Sequence, residues 1–495
     1  MNKSKINKVF SISLLVVFGI VLWGIIGAKS FEASATAAFN FLVSKFGWFY
    51  LLSMTLFVVF AVWIALSKYG KIKLGPDDSK PDYSFISWFA MLFSAGMGIG
   101  LVFWGVAEPL NHFINPMGMD GGTEAAGQFA MMKSFMHWGL HPWANYSVLA
   151  LALAYMQFRK GKPGLISSIF IPLIGEERVK GWMGKTIDIL AIFATVAGVA
   201  TSLGLGTLQI NSGLNFLFDV PETSLVQILI VVVVTVLFMI SAVSGLDKGI
   251  KFLSNLNVSI AAVLVILSII IGPTLLIFSN LGQGMMLYAK DLFMDANPFG
   301  KGEWYGWWTI FYWAWWIAWA PFVGTFIARI SRGRTIRQFI VGVLAAPTLA
   351  SFLWFATFGT MGIETGAEVA TQAIAKTETA LFVVMQHYPL GNVISLVAVL
   401  LLCTFFVTSA DSATFVLGMM SSDGDLNPTI GRKVTWGVIQ SALALALMLS
   451  GGLKMLQTAS IVAAFPFAFV MIFAMVSIIK ALKTETFEDI KERVS

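Results

Sequence analysis

Uninterrupted apolar runs of about twenty residues recur along the whole chain, and their length matches the thickness of a bilayer. In lipid, only helices and closed barrels satisfy every backbone hydrogen bond. A barrel shows segments of roughly ten residues that alternate in polarity, whereas these runs are longer and continuous. Only 12% of the residues are charged, against about 25% in soluble domains. The sequence therefore predicts an all-α polytopic membrane protein.

The apolar runs predict twelve transmembrane helices. They lie near residues 8–28, 47–67, 85–107, 131–157, 186–211, 223–243, 257–279, 304–329, 335–361, 387–419, 432–450 and 457–481. The first run follows a basic segment, as in a cleaved signal peptide, but it is long enough to span, so we interpret it as a retained helix.

Lysine and arginine cluster before the first span and in the second, fourth and eighth connections, whereas 108–130 and 212–222 contain none. This alternation predicts cytoplasmic termini and a multi-pass protein of the plasma (inner) membrane. The net charge of +6 belongs to those connections, and no nucleic-acid motif accompanies it.

The chain lacks the residue patterns of a catalytic centre. Its single cysteine, Cys403, lies within an apolar run. His137 and His141 have helical i, i+4 spacing, but Gly139 and Pro142 interrupt that helix, so they make a weak zinc pair. We expect neither an enzyme nor a resident cofactor, and binding or transport is the favoured class.

A glycine-rich segment, GMGIG at 96–100, interrupts the third span. Small residues let membrane helices pack closely. Alternatively, the helix is unwound here, and its freed backbone groups meet an ion or a substrate. The two interpretations are compatible.

Aromatic residues concentrate at membrane depth in two spans. The fourth contains HWGLHPWANY, and the eighth contains FYWAWWIAW at 311–319. Trp315 and Trp316 precede Trp319 by four and three residues, so the three share a helix face. An interfacial belt explains Trp304, Trp307 and Trp308, together with Trp313, but it fits the deeper residues less well. Two such clusters predict an aromatic cage for a quaternary ammonium group, at roughly 0.5–2 kcal/mol per ring.

The tenth span contains polar residues in FFVTSADSATF at 405–415. The hydroxyls of Thr408 and Ser409 could coordinate a cation together with carbonyls near Met97, or they could bond to the preceding helical turn. Asp411 is costly to bury, which favours a functional role, although it could equally cap a helix or pair near a cavity.

Four motifs together resemble the betaine/choline/carnitine transporter family. They are AGMGIGLVFWGVAEP (95–109), HWGLHPWANY (137–146), WWIAWAPFVGTFIARISRGRT (315–335) and TSADSAT (408–414). The resemblance implies a LeuT-like fold of two inverted five-helix repeats after two extra helices, homotrimers, and alternating-access transport of trimethylammonium zwitterions such as glycine betaine. The corresponding parts are 1–84 with two peripheral helices, 85–279 and 304–481 for the repeats, 280–303 as an extracellular connection and 482–495 as a cytoplasmic tail.

The resemblance also implies the roles of individual residues. It places an aromatic box at Trp138, Trp143, Tyr146 and Trp316, with Trp315 and Trp319 adjoining, and the substrate carboxylate at Ser202. One sodium site would use Ser94, Met97, Phe405, Thr408 and Ser409. A second sodium site would use Thr195, with Phe322 nearby.

Departures from the family pattern refine these expectations. Val199 replaces a threonine of the second sodium site and weakens it. Choline-transporting relatives carry an acidic residue where this chain has Gly100, which favours a zwitterion over choline. Sodium-independent exchangers have an arginine near Phe252 and a methionine at Val323, and this chain has neither. Sodium symport of an osmoprotectant is therefore favoured over proton-coupled or exchange transport of choline- or carnitine-type substrates. A ligand-gated channel or sensor is a weaker alternative, because no sequence resembling a selectivity filter is present.

Overall fold

The computed structural model describes residues 7–96, 98–244, 247–297, 299 and 302–485. Within these ranges the chain is almost entirely helical. The α-helices are α1 (Lys8–Ile26), α2 (Ala28–Leu66), α3 (Phe85–Gly96), α4 (Ile99–Ile114), α5 (Glu124–Trp138), α6 (Leu140–Ala154), α7 (Ile171–Ile174), α8 (Glu176–Lys180), α9 (Trp182–Phe218), α10 (Ser224–Ser244), α11 (Asp247–Ile271), α12 (Thr274–Asp291), α13 (Glu303–Tyr305), α14 (Phe311–Ile330), α15 (Ile336–Glu364), α16 (Ala367–Ile374), α17 (Ala380–Met385), α18 (Gly391–Met420) and α19 (Ile430–Leu482).

Nine helical segments of the described chain are long and apolar enough to cross a bilayer. They are α1, α2, α9, α10, most of α11, the segment Glu303–Ile330 that ends with α14, α15, α18 and α19. These segments confirm the polytopic helical class. The number of twelve spans and the inverted repeats stay predictions.

Glycines interrupt three of the predicted crossings. α3 ends at Gly96 and α4 begins at Ile99, and α5 and α6 meet at Gly139, whose φ of −91° and ψ of −131° are not helical. Inside α19, Gly452 has φ 58° and ψ −139°, a left-handed conformation that glycine adopts without steric cost. This kink separates the runs predicted at 432–450 and 457–481.

The helices differ in how deeply they lie in the protein. Most residues of α9 and α14 are buried, whereas fewer than a third of the residues in the apolar stretches of α1, α10 and α11 are buried. α9 packs against α18, α19 and α14, and α14 packs against α6. The polar side chains discussed below therefore lie at the centre of the molecule, where α4, α5, α6, α9 and α14 meet.

Glu485, which follows α19, is anchored on one side of the bundle. Glu485 accepts hydrogen bonds from Arg159 Nε at 2.8 Å, Arg159 Nη2 at 2.9 Å and the Tyr155 hydroxyl at 2.7 Å. Burial raises the pKa of Glu485, but the hydrogen bonds from Arg159, Tyr155 and Lys160 outweigh it and hold this pKa below the usual range. Arg159 also pairs with Asp77 at 2.9 Å, so this cluster joins three separate segments.

Candidate functional site

A central cavity of about 890 Å³ lies between the buried helices. All six predicted cage aromatics line it, together with Gly100 and Ser202. They come from α4, α5, α6, α9 and α14, and the ends of α3 at Gly96 and of α5 at Trp138 let α4 and α6 begin in new directions toward this space. The cavity continues to Arg329, Asn427 and Lys433, which lie where α14 ends and α19 begins.

Trp316 is the centre of the aromatic group. Its ring stacks on Trp315 with centroids 4.8 Å apart and planes at 16°, and Trp138 meets it edge-on at 4.8 Å and 73°. Tyr146 contacts Trp316 at 6.5 Å and 80°, and Trp143 contacts Tyr146 at 5.3 Å and 74°. These edge-to-face and stacked arrangements are the favoured ones for aromatic pairs. They form a continuous aromatic wall with negative ring faces, the surface that attracts a methylated cation.

Hydrogen bonds fix the orientation of the principal indoles. Trp138 Nε1 donates to Glu108 Oε2 at 2.8 Å, and Trp316 Nε1 donates to the His137 carbonyl at 2.9 Å. Asn145 Nδ2 donates to the Trp316 carbonyl at 2.9 Å. With their N–H groups satisfied by protein atoms, the indoles offer apolar faces to a ligand rather than donors.

Ser202 lies beside this wall on α9. Its hydroxyl accepts from Trp315 Nε1 at 3.2 Å and donates to the Gly198 carbonyl at 3.3 Å. Trp319 lies close to Gly198, where an added Cβ would approach Trp319 Cδ1 to 2.7 Å. The predicted carboxylate contact at Ser202 would thus replace or share an existing hydrogen bond.

Gly100 approaches the aromatic group closely. A Cβ at this position would lie 2.8 Å from Cη2 of Trp315 and 2.9 Å from Cη2 of Trp138. Real Cβ atoms do not come so near, so any other residue here displaces two of the indoles. Glycine therefore allows α4 to reach the cavity.

The predicted ion-binding residues are only partly brought together. Phe405, Thr408 and Ser409 line the cavity, as does Phe322. Thr408 Oγ1 donates to the Thr404 and Phe405 carbonyls at 3.1 and 3.2 Å, the bonding to the preceding turn that the sequence left open. It also accepts from Asn257 Nδ2 at 3.1 Å.

The remaining predicted ligands divide into two groups. Met97 lies outside the described residues, and Ser94 is described only as part of the helical backbone of α3. Thr195 is buried and donates to the Ala191 carbonyl at 2.8 Å, and within the described chain it does not form part of the cavity wall. Of the second predicted sodium site, Phe322 therefore lines the cavity and Thr195 does not.

A buried carboxylate in α4, Glu108, is the main feature that the sequence reasoning missed. Glu108 Oε1 lies 2.6 Å from His137 Nδ1, and Glu108 Oε2 lies 2.5 Å from the Tyr312 hydroxyl. His137 Nε2 lies 2.9 Å from the Thr309 hydroxyl. The span predicted at 85–107 left Glu108 in the following connection, whereas α4 continues to Ile114. A carboxylate within such a helix is functional by default, and WGVAEP already showed it directly after the apolar run.

His141, the second residue of the weak zinc pair, stacks on Trp313 with centroids 4.9 Å apart. The ligand atoms of Glu108, His112 and His137 do lie within 4.8 Å of one another. However, the short contacts that hold Glu108 and His137 already engage those atoms. Trp313 is itself completely buried, so its assignment to an interfacial belt was wrong.

Asp411 is one of the polar residues that line the cavity. Its Oδ2 accepts from the Ser241 hydroxyl at 2.8 Å, and both residues line the cavity wall. Asp411 is thus a network residue that joins α18 to α10, one of the alternatives that its position in the tenth span left open.

Comparison with known proteins shows which proteins this chain is similar to. The family model described as "BCCT, betaine/carnitine/choline family transporter" matches residues 8–487. The chain is 49% identical to the glycine betaine transporter OpuD of Bacillus subtilis, over 97% of this chain and 95% of that protein.

Two further relatives differ in their named substrates. The chain is 44% identical to the ectoine/hydroxyectoine transporter of Virgibacillus pantothenticus, over 97% of this chain and 98% of that protein. It is 39% identical to glycine betaine transporter 1 of Vibrio parahaemolyticus, over 97% of this chain and 94% of that protein.

Proposed function

The chain belongs to the betaine/carnitine/choline transporter family, and on that premise we propose that it imports glycine betaine or a close trimethylammonium zwitterion as an osmoprotectant by sodium symport. It is a membrane transporter and not an enzyme. The observation that carries the choice of substrate is the wall of six aromatic side chains around the central cavity. A trimethylammonium group has no N–H to donate, so aromatic faces attract it where hydrogen-bond acceptors gain little.

The charge of the site favours a zwitterion. Gly100 contributes no carboxylate at the place where an acidic side chain would neutralise choline, and the indoles leave no room for one. A free cation in a buried site needs a counter-charge, whereas betaine carries its own carboxylate. In this proposal, that carboxylate binds near the Ser202 hydroxyl.

Sodium coupling rests on the oxygen ligands beside the cavity. Thr408, Ser409 and the Phe405 carbonyl are hard oxygen donors of the kind that alkali cations bind, and they lie on the wall that the substrate occupies. One Na⁺ gains about 2.3 kcal/mol across 100 mV and about 1.4 kcal/mol from a tenfold gradient, which supports a substrate gradient of roughly 500-fold. Osmoprotection requires accumulation of this kind.

The proposal includes a topology of twelve crossings. The glycine-broken pairs α3–α4 and α5–α6 each supply one, and the kinked α19 supplies two. The positive-inside rule then places both termini in the cytoplasm of the plasma (inner) membrane. The cavity extends to Arg329 and Lys433, which this topology puts at the cytoplasmic side, so we interpret the state as inward-facing, within a LeuT-like alternating-access cycle and a homotrimer.

Ectoine is a second candidate substrate, because a relative named for ectoine is 44% identical to this chain. Ectoine is a cyclic zwitterion whose planar cation can also stack on indole faces. The aromatic wall alone does not separate the two compounds, whereas competition between them does.

The test is uptake of radiolabelled glycine betaine into proteoliposomes, in sodium buffer and in choline-free potassium buffer. We expect concentrative uptake in sodium only, with unlabelled glycine betaine competing more strongly than ectoine or choline. Undiminished accumulation in potassium would refute the sodium coupling. Stronger competition by ectoine than by glycine betaine would identify ectoine as the preferred substrate.

A further inference from the structure

Glu108 is a fully buried carboxylate placed behind the aromatic cage. It lies on α4, about two turns beyond Gly100, and none of its side chain is exposed. Removing a carboxylate from water costs several kcal/mol unless its oxygens are bonded. The groups around Glu108 must therefore include hydrogen-bond partners that offset this desolvation cost.

Two donors converge on one oxygen of this carboxylate. The indole N–H of Trp138 and the hydroxyl of Tyr312 donate to Glu108 Oε2, at 2.8 and 2.5 Å. An indole N–H cannot accept, so the polarity of that contact is fixed. The cage residue Trp138, on α5, is thereby fastened both to α4 and to the helix that carries Trp315 and Trp316.

The second oxygen faces two imidazoles. Glu108 Oε1 lies 2.6 Å from His137 Nδ1 and 3.3 Å from His112 Nε2. Each imidazole either donates or accepts here, according to its tautomer. This side of the carboxylate is therefore adaptable, whereas the side that faces Trp138 and Tyr312 requires an acceptor.

The buried Lys133 pairs with another carboxylate rather than with Glu108. The ammonium of Lys133 lies 3.0 Å from Asp295, and both groups are buried. In the part of the chain that the structure describes, Glu108 contacts histidine, tryptophan and tyrosine rather than an ammonium or guanidinium group. Its role is thus to organise hydrogen bonds.

We propose that Glu108 is a positioning residue of the binding site, which orients Trp138 and Tyr312 so that the cage faces point into the cavity. Tyr312 stacks on Trp316 with centroids 6.0 Å apart and planes at 23°, so the carboxylate orients the two walls of the cage through different partners. The inference rests on the proposed function, because it assigns to Glu108 the geometry of the ammonium site.

The proposal makes opposite predictions for two substitutions of similar size. Glu108→Met removes both acceptors and leaves the Trp138 and Tyr312 donors unpaired. Glu108→Gln keeps one carbonyl oxygen for those donors, while its amide donates to His137 and His112 in their alternative tautomers. We expect Glu108→Met to raise the KM for glycine betaine by about tenfold or more, as loss of an outer-shell partner does elsewhere, and Glu108→Gln to stay close to wild type.

The matched control is Asp188→Asn. Asp188 is another buried carboxylate of the bundle, and it accepts from the backbone N–H and the hydroxyl of Ser167, at 2.9 and 2.8 Å. It lies outside the cavity wall of the described chain. We expect this variant to retain the wild-type KM, whatever it does to the amount of folded protein.

The experiment measures KM and Vmax in proteoliposomes for the wild type and these variants. The proposal predicts a KM effect in Glu108→Met that Glu108→Gln rescues. A wild-type KM in folded Glu108→Met would overturn it, as would a Glu108→Gln variant as impaired as Glu108→Met, since negative charge rather than hydrogen bonding would then matter. If Glu108→Met does not fold, Tyr312→Phe, which removes one donor and keeps the ring, is expected to raise KM; an unchanged KM there contradicts the proposal.

A readout without substrate separates this inference from the proposed function. The protein is labelled with 5-fluorotryptophan, and the ¹⁹F resonance of Trp138 is assigned from Trp138→Phe. We expect that resonance to shift or broaden in Glu108→Met and to stay in place in Glu108→Gln. If the wild-type protein does not transport betaine, the proposed substrate is refuted, but the Trp138 resonance still tests the role of Glu108. An unchanged Trp138 resonance in Glu108→Met would refute the positioning role of Glu108.

Discussion

Adding one methyl group at Gly100 should close part of the substrate cage. In Gly100→Ala, the new Cβ would lie 2.8 Å from Trp315 Cη2 and 2.9 Å from Trp138 Cη2. Both contacts are with rigid indole rings that hydrogen bonds hold in place, so the conflict can be relieved only by moving cage walls. Overpacking of this kind costs about 1–3 kcal/mol, and at about 1.4 kcal/mol per factor of ten this corresponds to roughly a 5- to 150-fold weaker Kd for glycine betaine.

The control for this variant is two residues away. Gly98 has extended backbone, with φ −171° and ψ −176°, and a Cβ there would meet no atom within 4 Å. Isothermal titration of the purified protein with glycine betaine compares Gly100→Ala, Gly98→Ala and the wild type. We expect weakened binding only in Gly100→Ala. Equal affinities in all three proteins would refute the argument that these indoles enclose the substrate.

Three further predictions concern the cage, the ion and the anchored Glu485. Trp316→Ala should weaken betaine binding by about 0.5–2 kcal/mol, whereas Trp316→Phe, which keeps a ring, should lose less, as measured by titration; equal losses would contradict the cation–π account. Thr408→Ala should raise the sodium concentration for half-maximal uptake by about tenfold. Thr195→Ala should change this concentration little, because Thr195 bonds within its own helix away from the cavity wall of the described chain. A larger effect of Thr195→Ala than of Thr408→Ala would indicate that the coupling ion binds at Thr195 instead. Glu485→Gln should lower the Tm in detergent by a few degrees. Because the pKa of Glu485 is depressed in the folded protein, this difference in Tm should hold from about pH 7.5 to about pH 5 and narrow below about pH 4.5; a difference that grows on acidification would contradict it.

Hydropathy predicted the class of this fold because a spanning helix has a length that a sequence displays directly. The end of α3 at Gly96 and the kink inside α19 at Gly452 also coincide with glycines that a sequence reveals. Boundaries were less predictable: the span expected at 47–67 belongs to a helix that begins at Ala28. The first half of α2 mixes polar and apolar residues. Hydropathy detects only continuous apolar runs, so it does not detect a helix where it continues beyond the lipid core.

The candidate site was predictable as a composition but not as a network. Helical spacing placed Trp315, Trp316 and Trp319 on one face, and the family motifs added Trp138. Spacing has no information about pairs that tertiary folding creates. Glu108 meets Trp138 and Tyr312 from 30 and 204 residues away along the chain, so only the structure reveals that one carboxylate fastens both sides of the cage.

In the proposed mechanism, glycine betaine movement is coupled to sodium. Reversal of betaine flux measures this coupling, in proteoliposomes clamped at zero voltage with opposed betaine and sodium gradients. For each sodium ion carried per betaine, a tenfold sodium gradient should offset a betaine gradient of about tenfold, and a pH gradient should leave this balance point unchanged. A balance point that ignores sodium and follows pH, or one that stays at equal betaine concentrations, would contradict the claim.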